Sequence, residues 1–424
     1  MPIASDLIRG AAETETTARG LRPHRLPAWV REQFPDGQLL SMESQPSGVR
    51  VSFRTAATRF ELVTHPTRIA YVGAERPRGR VDVFVDGELV LRDELTGGDR
   101  IEVDLATGST TLHAGPPHST VVSGLPAASP LSGSPVATPE SGLPGGSLVS
   151  GLPVATPVSG LPGGSLVSGS PAASRRVEIW LPHNESLELV DLHADAPIEA
   201  DDRVRPVWVH HGSSISHGSN AVAPSEIWPA VAARRAGVEL RNLGLGGSAL
   251  VDQFLARVIR DAPADLISVK LGINVVNLDG MRVRTFVPAV HGFLDTIRDG
   301  HPDVPLILIS PLFCGIHEET PGPGAIDPAS IGTGQVRFTA TGTPGDVAFG
   351  RLTLQVIRRE LQSLAERRAA DKNLHFLDGL SLYGPEDAAD LPLPDALHPS
   401  AEAHQLIGTR FADYAFSGSG PFGG

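Results

Sequence analysis

The hydrophobic period changes once along this chain of 424 residues, near residue 203, and that change limits the architecture more than any other feature. Before it, GVRVSFRT (48–55), TRFELVTH (58–65), GRVDVFVDGELVLRDEL (79–95) and DRIEVDL (99–105) alternate apolar with polar side chains. Such Val-rich alternation at period two is the pattern of half-buried antiparallel strands. Asp86-Gly87 stands where a tight hairpin needs residues that accept positive φ. RRVEIWLPHNESLELVDLHADA (175–196) adds two more strand-like runs. Together they predict an antiparallel β-sandwich domain over residues 1–202. Leu26-Pro27-Ala28-Trp29 is expected to pack on that same domain.

After residue 203 short apolar runs alternate with amphipathic helical patterns. The runs are VRPVWVHHG (204–212), VELRNLGLG (238–246), LISVKLG (266–272), VPLILIS (304–310) and LHFLDG (374–379). Helices are expected at 225–237, 249–261, 284–299, 347–370 and 400–415. Five strands separated by helices imply an α/β domain at 203–416 built on a doubly wound parallel sheet. In such sheets ligands bind beyond the carboxyl ends of the strands, so the chemistry belongs there.

Inside the β-rich half sits a tandem repeat. Six nine-residue units begin at Ser123, and Ser, Gly and Pro fill 31 of the 52 positions 123–174. Residues 119–174 carry a single charge, Glu140, and no aromatic side chain. That composition cannot bury enough apolar surface to offset chain entropy, so 119–174 is expected to be a disordered insert at a hairpin tip of the sandwich. Long loops are tolerated there because closure entropy grows only logarithmically. The tail 417–424 is expected to be flexible.

Charge and cysteine content exclude several classes. The formal net charge is −13 with no basic run, which argues against nucleic-acid binding by counterion release. Cys314 is the single cysteine, so no internal disulfide forms, and it reads as a packing residue. No Cys/His spacing implies a metal, and no cofactor is expected: His210 and His211 alternate faces of a strand, and neither they nor His217 has a carboxylate at ligand spacing. His317-Glu318-Glu319 begins like a zinc-protease motif but meets Pro321 where the second histidine is needed. The N-terminus lacks the apolar stretch of a secretory signal and no run spans a bilayer, so a cytoplasmic protein without membrane partners is expected.

The expected strand ends carry a coherent set of groups. The first ends in HHGSSIS, with Ser213, Ser214 and Ser216; the second in the glycine turn NLGLGGSAL; the third in LGINVVN, with Asn274. The fifth leads to LPLPDALHPS, which holds Asp395 and His398 three residues apart. A hydroxyl, an imidazole, a carboxylate, a tight-turn N–H and an amide are the parts of a serine acyl-transfer site with an oxyanion hole. NLGLGG is no dinucleotide fingerprint, because the third spaced glycine is missing and the turn follows the second strand.

The order GSSIS, NLGLGGS, GIN, DALHP resembles the four motif blocks of the GDSL-type SGNH hydrolases, over about residues 204–416. The resemblance implies Ser214 as nucleophile, His398 as base and Asp395 as its partner. It implies an oxyanion hole from the N–H groups of Ser214 and Gly247 and the Asn274 side chain. Two positions depart from the family pattern: Ser213 stands where Asp is usual, and Val275 where Asp usually follows the Asn. Ser213 is therefore a rival nucleophile. The implied function is a serine esterase acting on a small-molecule ester such as an acetylated sugar. The alternatives are an acyltransferase to a natural-product or sugar hydroxyl, and a non-catalytic carbohydrate-binding protein. Residues 311–346, with twelve Gly or Pro and no periodicity, are expected to form an unstructured connection that shapes the acyl or acceptor pocket. Deleting them is expected to alter substrate preference more than stability.

Overall fold

The structure is a computed structural model that describes residues 3–72, 76–104, 107–125, 173–331, 333 and 335–423. The first half forms two stacked sheets of six and seven strands. One runs Ile8–Arg9, Arg50–Thr55, Arg175–Trp180, Arg80–Val85, Glu88–Glu94; the other is centred on Arg59–Tyr71 between Ser186–Ala194 and Asp99–Val103. Pairing is antiparallel except between Arg59–Tyr71 and Asp99–Val103, which run parallel. The hairpin turn forms as its residues require, with Asp86 and Gly87 at φ 52° and 94°. Alternation puts Val51, Phe53, Phe60, Leu62, Val83 and Ile179 between the sheets, with Phe53 and Phe60 edge to face at 5.5 Å.

The repeat does not cap a hairpin. His118–Ser123 pairs with Arg59–Tyr71 in one sheet, whereas Arg175–Trp180 lies in the other, between Arg50–Thr55 and Arg80–Val85. The strands on either side of the repeat therefore lie in different sheets. Residues 119–123 are strand rather than disordered insert, because Thr120 and Val122 alternate inward (1% and 7% exposed) against the Phe60 strand. The expected disorder of 126–172 concerns residues outside those described.

The N-terminal segment also departs from expectation. Leu26, Val30 and Leu39 belong to the core of the second domain, with Trp29 packed against it. This segment includes helix α1 (Gly37–Glu43), capped by the Asp36 carboxylate, which accepts from Leu39 N at 2.8 Å.

The second domain is a five-stranded parallel sheet. Its elements are β1 (Val207–Gly212), α2 (Ser214–His217), α3 (Trp228–Ala236), β2 (Glu239–Gly244), α4 (Gln253–Asp261), β3 (Leu266–Lys270), α5 (Ile273–Asn277), α6 (Val283–Gly300), β4 (Leu306–Ile309), α7 (Leu354–Arg367), β5 (Leu374–Leu377) and α8 (Ala401–Ala415). The sheet order is β2-β1-β3-β4-β5, all parallel, so the chain reverses its winding between β1 and β3. One apolar layer packs α4, α6 and α7 on one face; the other gathers Trp208, Trp228, Ile307, Ile309 and Phe411. Helix α4 starts later than its periodicity predicts, because Val251 adopts φ 70°. Helix α7 starts at Leu354, where Thr353 Oγ1 caps Val356 N after the break at Gly350.

The two halves share packing and ion pairs. Phe84 and Trp180 of the sandwich join the Trp228 layer, and Arg50 pairs with Glu239 at 2.6 Å while stacking on Trp180. Asp82 accepts from Arg92 Nε at 2.7 Å and from Ser225 Oγ at 2.6 Å. The expected flexible tail is folded back over residues 417–423: Phe422, 9% exposed, packs beside Phe411 and Phe416, and its N–H reaches Ala415 O at 2.7 Å. An aromatic ring that finds an apolar groove outweighs the chain entropy of a short Gly/Ser tail. Among the described residues no helix is long and apolar enough to cross a membrane.

Candidate active site

Ser214 begins α2 directly after β1, and Asn274 lies in α5 directly after β3, so both flank the point where winding reverses. Ser214 is half-buried, but Ser213, Ile215, Ser216 and His217 around it are all buried. His398 Nε2 lies 2.9 Å from Ser214 Oγ, and His398 Nδ1 lies 2.7 Å from Asp395 Oδ2. Asp395 Oδ1 accepts from the N–H groups of Leu397 (3.0 Å) and His398 (2.7 Å). Burial opposes the charge on Asp395, yet its hydrogen bonds to His398 and these amides outweigh that and hold its pKa below the usual range. An ionised Asp395 can only accept, so the proton sits on Nδ1 and Nε2 is free to accept from the Ser214 hydroxyl. Ala396, at φ 67°, bends the loop so that residues three apart can face each other.

Among the described residues, unbonded N–H groups stand in the turn after β2, whose Gly246 lies against Ser214, and at the start of α2. Gly247 has φ 71°, a conformation open to glycine, and its N–H meets no acceptor among the described residues. The Ser214 N–H, at the first turn of α2, is likewise left without one. Asn274 is 4% exposed, and its Oδ1 accepts from Ala249 N at 3.2 Å. That bond orients the amide and leaves Nδ2 as the donor. The turn is tense: Val251 is β-branched and left-handed at φ 70°, a costly combination found where structure overrides local preference.

The other sequence-derived candidates fall elsewhere. Ser213 is 1% exposed, its Oγ is buried without a partner, and His398 contacts Ser214 instead. Val275 is a core residue. His210 bridges Ser268 Oγ (2.7 Å) and Ser216 Oγ (2.8 Å) behind α2, and burial first, then Lys270, keeps it neutral. His211 bonds Leu243 O at 2.9 Å, and burial lowers its pKa to about 4. Cys314 is buried, and its thiol is pushed up to about 12 by burial and by Glu318. Glu318 is bound to Arg358 at 2.6 Å.

Two contributors went unread in the sequence. The first is the N-terminal segment: Gln38 Nε2 donates to Gly246 O at 2.9 Å, and Met42 lies against the same turn. The second is Phe338. Residues 311–346 are not structureless: Gly324–Ile326 and Phe338–Ala340 form an antiparallel ribbon. Phe338 sets its ring edge-on to His398, with centroids 5.7 Å apart, and donates its N–H to Asp395 O at 2.8 Å. Ile326, Ile331 and Val336 on this excursion are exposed. The inner part is core: Leu312, Cys314 and His317 are at most 3% exposed, so removing all of 311–346 would destabilise the domain as well as change selectivity. The sharper expectation is for Phe338→Ala, which should raise KM several-fold and shift acyl preference with little change in Tm. Identical KM values across an ester series would refute it.

With the geometry in view, comparison with known proteins is direct. Residues 211–406 match the GDSL-like Lipase/Acylhydrolase family, and residues 7–131 match the N-terminal domain of SsfX3. The second domain belongs to the GDSL-like lipase/acylhydrolase family. The chain is thus an enzyme of the ester-hydrolase and acyl-transfer class. Its structure is similar to that of the salicylyl-acyltransferase SsfX3 from a tetracycline biosynthetic pathway, at 26% identity and TM-score 0.69, covering 95% of this chain and 92% of that one. It shares its fold with a putative GDSL-like lipase from Bacteroides ovatus (16% identity, TM-score 0.57, 96% and 93% covered). Among curated proteins none matches the sequence.

Proposed function

We propose that this GDSL-like enzyme transfers the acyl group of a small-molecule ester through an acyl-enzyme on Ser214. The observation that carries the reading is the continuous chain Ser214 Oγ, His398, Asp395, at 2.9 and 2.7 Å. His398 Nε2 takes the hydroxyl proton as Oγ bonds to the ester carbonyl carbon. The oxyanion that forms is met by the N–H groups of Ser214 and Gly247 and by Asn274 Nδ2; one such donor is commonly worth roughly 10² to 10³ in rate. The imidazolium, stabilised by Asp395, returns the proton to the leaving oxygen as the ester C–O bond breaks. A second hydroxyl, from water or an alcohol, loses its proton to Nε2 while attacking the acyl-enzyme, and Ser214 regains that proton.

With water as acceptor the protein is an esterase, and acetylated sugars are candidate substrates. The alternative, transfer to a hydroxyl of a larger acceptor, is favoured by likeness over both domains to an acyltransferase. A fluorophosphonate probe should label the wild type and Ser213→Ala but not Ser214→Ala. An unlabelled wild type, or loss of label in Ser213→Ala alone, would overturn the assignment. Product analysis in mixed water and alcohol then separates the acceptors: hydrolysis that ignores added alcohols selects the esterase.

A further inference from the structure

Arg25 is the most completely engaged cation beside the site, and nothing in the proposed chemistry uses it. It is fully buried (0% exposed) and comes from the N-terminal segment. Its five N–H donors all find acceptors, and these lie on three elements. Nε donates to Gln45 O at 2.7 Å, and one Nη2 bond goes to Met42 O, both at the end of α1. Nη1 donates to Asn242 O (3.0 Å) and Gly244 O (2.6 Å), the last carbonyls of β2 before the Gly246-Gly247 turn. The other Nη2 bond reaches His217 Nδ1 at 3.0 Å, the last residue of the helix that Ser214 begins.

That helix has little means of holding itself. It is four residues long and its N-cap, Ser213, makes no side-chain capping bond. It lies directly on the end of β2: a Cβ on Gly244 would fall 2.5 Å from His217 N, so only glycine permits the contact. His217 is kept neutral, by burial first and then by Arg25, so Nδ1 offers its lone pair to the guanidinium. Its Nε2–H then serves Gln45 Oε1 (2.9 Å) and His183 O (2.5 Å). Ser47 Oγ adds a bond to His217 O at 2.6 Å from the same N-terminal segment. Burial lowers the Arg25 pKa to about 10, opposed by the nearby Glu43 carboxylate, so the group stays cationic at neutral pH.

We propose that Arg25 is a positioning residue: its guanidinium fork locks the helix bearing Ser214 to the turn bearing Gly247, setting the nucleophile against its oxyanion donors. This rests on the reading of Ser214 given above. A planar fork with five fixed donors can span three elements, whereas an ammonium at one point cannot, so lysine is not a conservative replacement here. Nucleophile and oxyanion hole must agree to within a fraction of an ångström, and a displacement of about 1 Å can cost roughly 100-fold in rate.

The test compares the second-order rate of fluorophosphonate labelling, and kcat and KM for p-nitrophenyl acetate, in wild type and Arg25→Lys. Labelling at least ten-fold slower is expected, with a matching fall in kcat and KM within two-fold of wild type. A purely structural role would reduce only the amount of labelled protein, leaving the rate of the folded fraction at the wild-type value; that result overturns the proposal. Should Arg25→Lys not fold, His217→Leu cuts the link to the helix with Arg25 in place. A wild-type labelling rate in that variant would equally overturn it. Failure of the wild type to label would strike the Ser214 reading itself, and is thereby told apart.

Discussion

With Ser214 or His398 replaced by alanine, kcat is expected to fall roughly 10⁶-fold, and the double variant should be no slower than either. The reason is the shared function of the two groups. At 2.9 Å they are placed to exchange one proton, so removing either would leave the other without a partner and the losses would not add. A residual rate above the uncatalysed reaction should survive, because the Gly247 N–H and Asn274 remain to meet an oxyanion formed by attacking water. Steady-state kinetics on an activated ester, with active-site titration to exclude wild-type contamination, measures this. Losses that multiplied in the double variant would mean that the two side chains act in separate steps. Ser213→Ala should retain most activity, since its hydroxyl is buried away from His398.

Asp395→Asn should cost roughly 10⁴-fold in kcat while leaving the fold intact. The substitution is nearly isosteric, and one amide oxygen could still accept from Leu397 and His398 N–H. What it cannot do is accept from Nδ1–H and carry a negative charge at Oδ2, where the 2.7 Å contact lies. An amino group there would donate to Nδ1 and force the proton to Nε2, so His398 could no longer take the Ser214 proton. Because the Asp395 pKa is held below its ordinary value, its pairing stabilises the native state above about pH 4. That contribution is lost as pH falls through the lowered value, with the carboxyl becoming protonated. Tm measured from neutral to acid pH should therefore fall less in Asp395→Asn than in wild type. Equal acid sensitivity would show that this carboxylate plays no part in acid unfolding.

Much of the catalytic half was legible because its signals are local. Period-two and period-3.6 patterns depend on near neighbours, and Gly244, Gly247 and Asn274 follow strands whose apolar runs are unmistakable. Asp395 and His398 lie three residues apart, within one turn. Less was legible in the N-terminal half. Strand alternation in His118–Ser123 was hidden beside a Ser/Gly/Pro repeat, and the sheet to which each strand belongs depends on pairing between residues 54 to 130 positions apart. Phe338 and Phe422 sit in segments rich in glycine, where composition suggests no order and a single aromatic contact supplies it.

By itself the sequence determined the two domain classes and the doubly wound parallel sheet, and it offered the serine pair Ser213-Ser214, the glycine turn, Asn274, Asp395 and His398 as groups from which an acyl-transfer site could be assembled. Those are consequences of pattern and of residue chemistry. Only the tertiary structure decided which serine faces His398, since Ser213 and Ser214 are adjacent and differ only in the direction a tight strand-to-helix turn gives each side chain. It also decided that residues 25–47 serve the catalytic domain. Arg25 reaches Asn242 and Gly244 across more than two hundred residues, and its donors choose carbonyl oxygens, which every residue carries. A bond from a side chain to backbone leaves no mark on the partner's identity, so no reading of residue types could have found it.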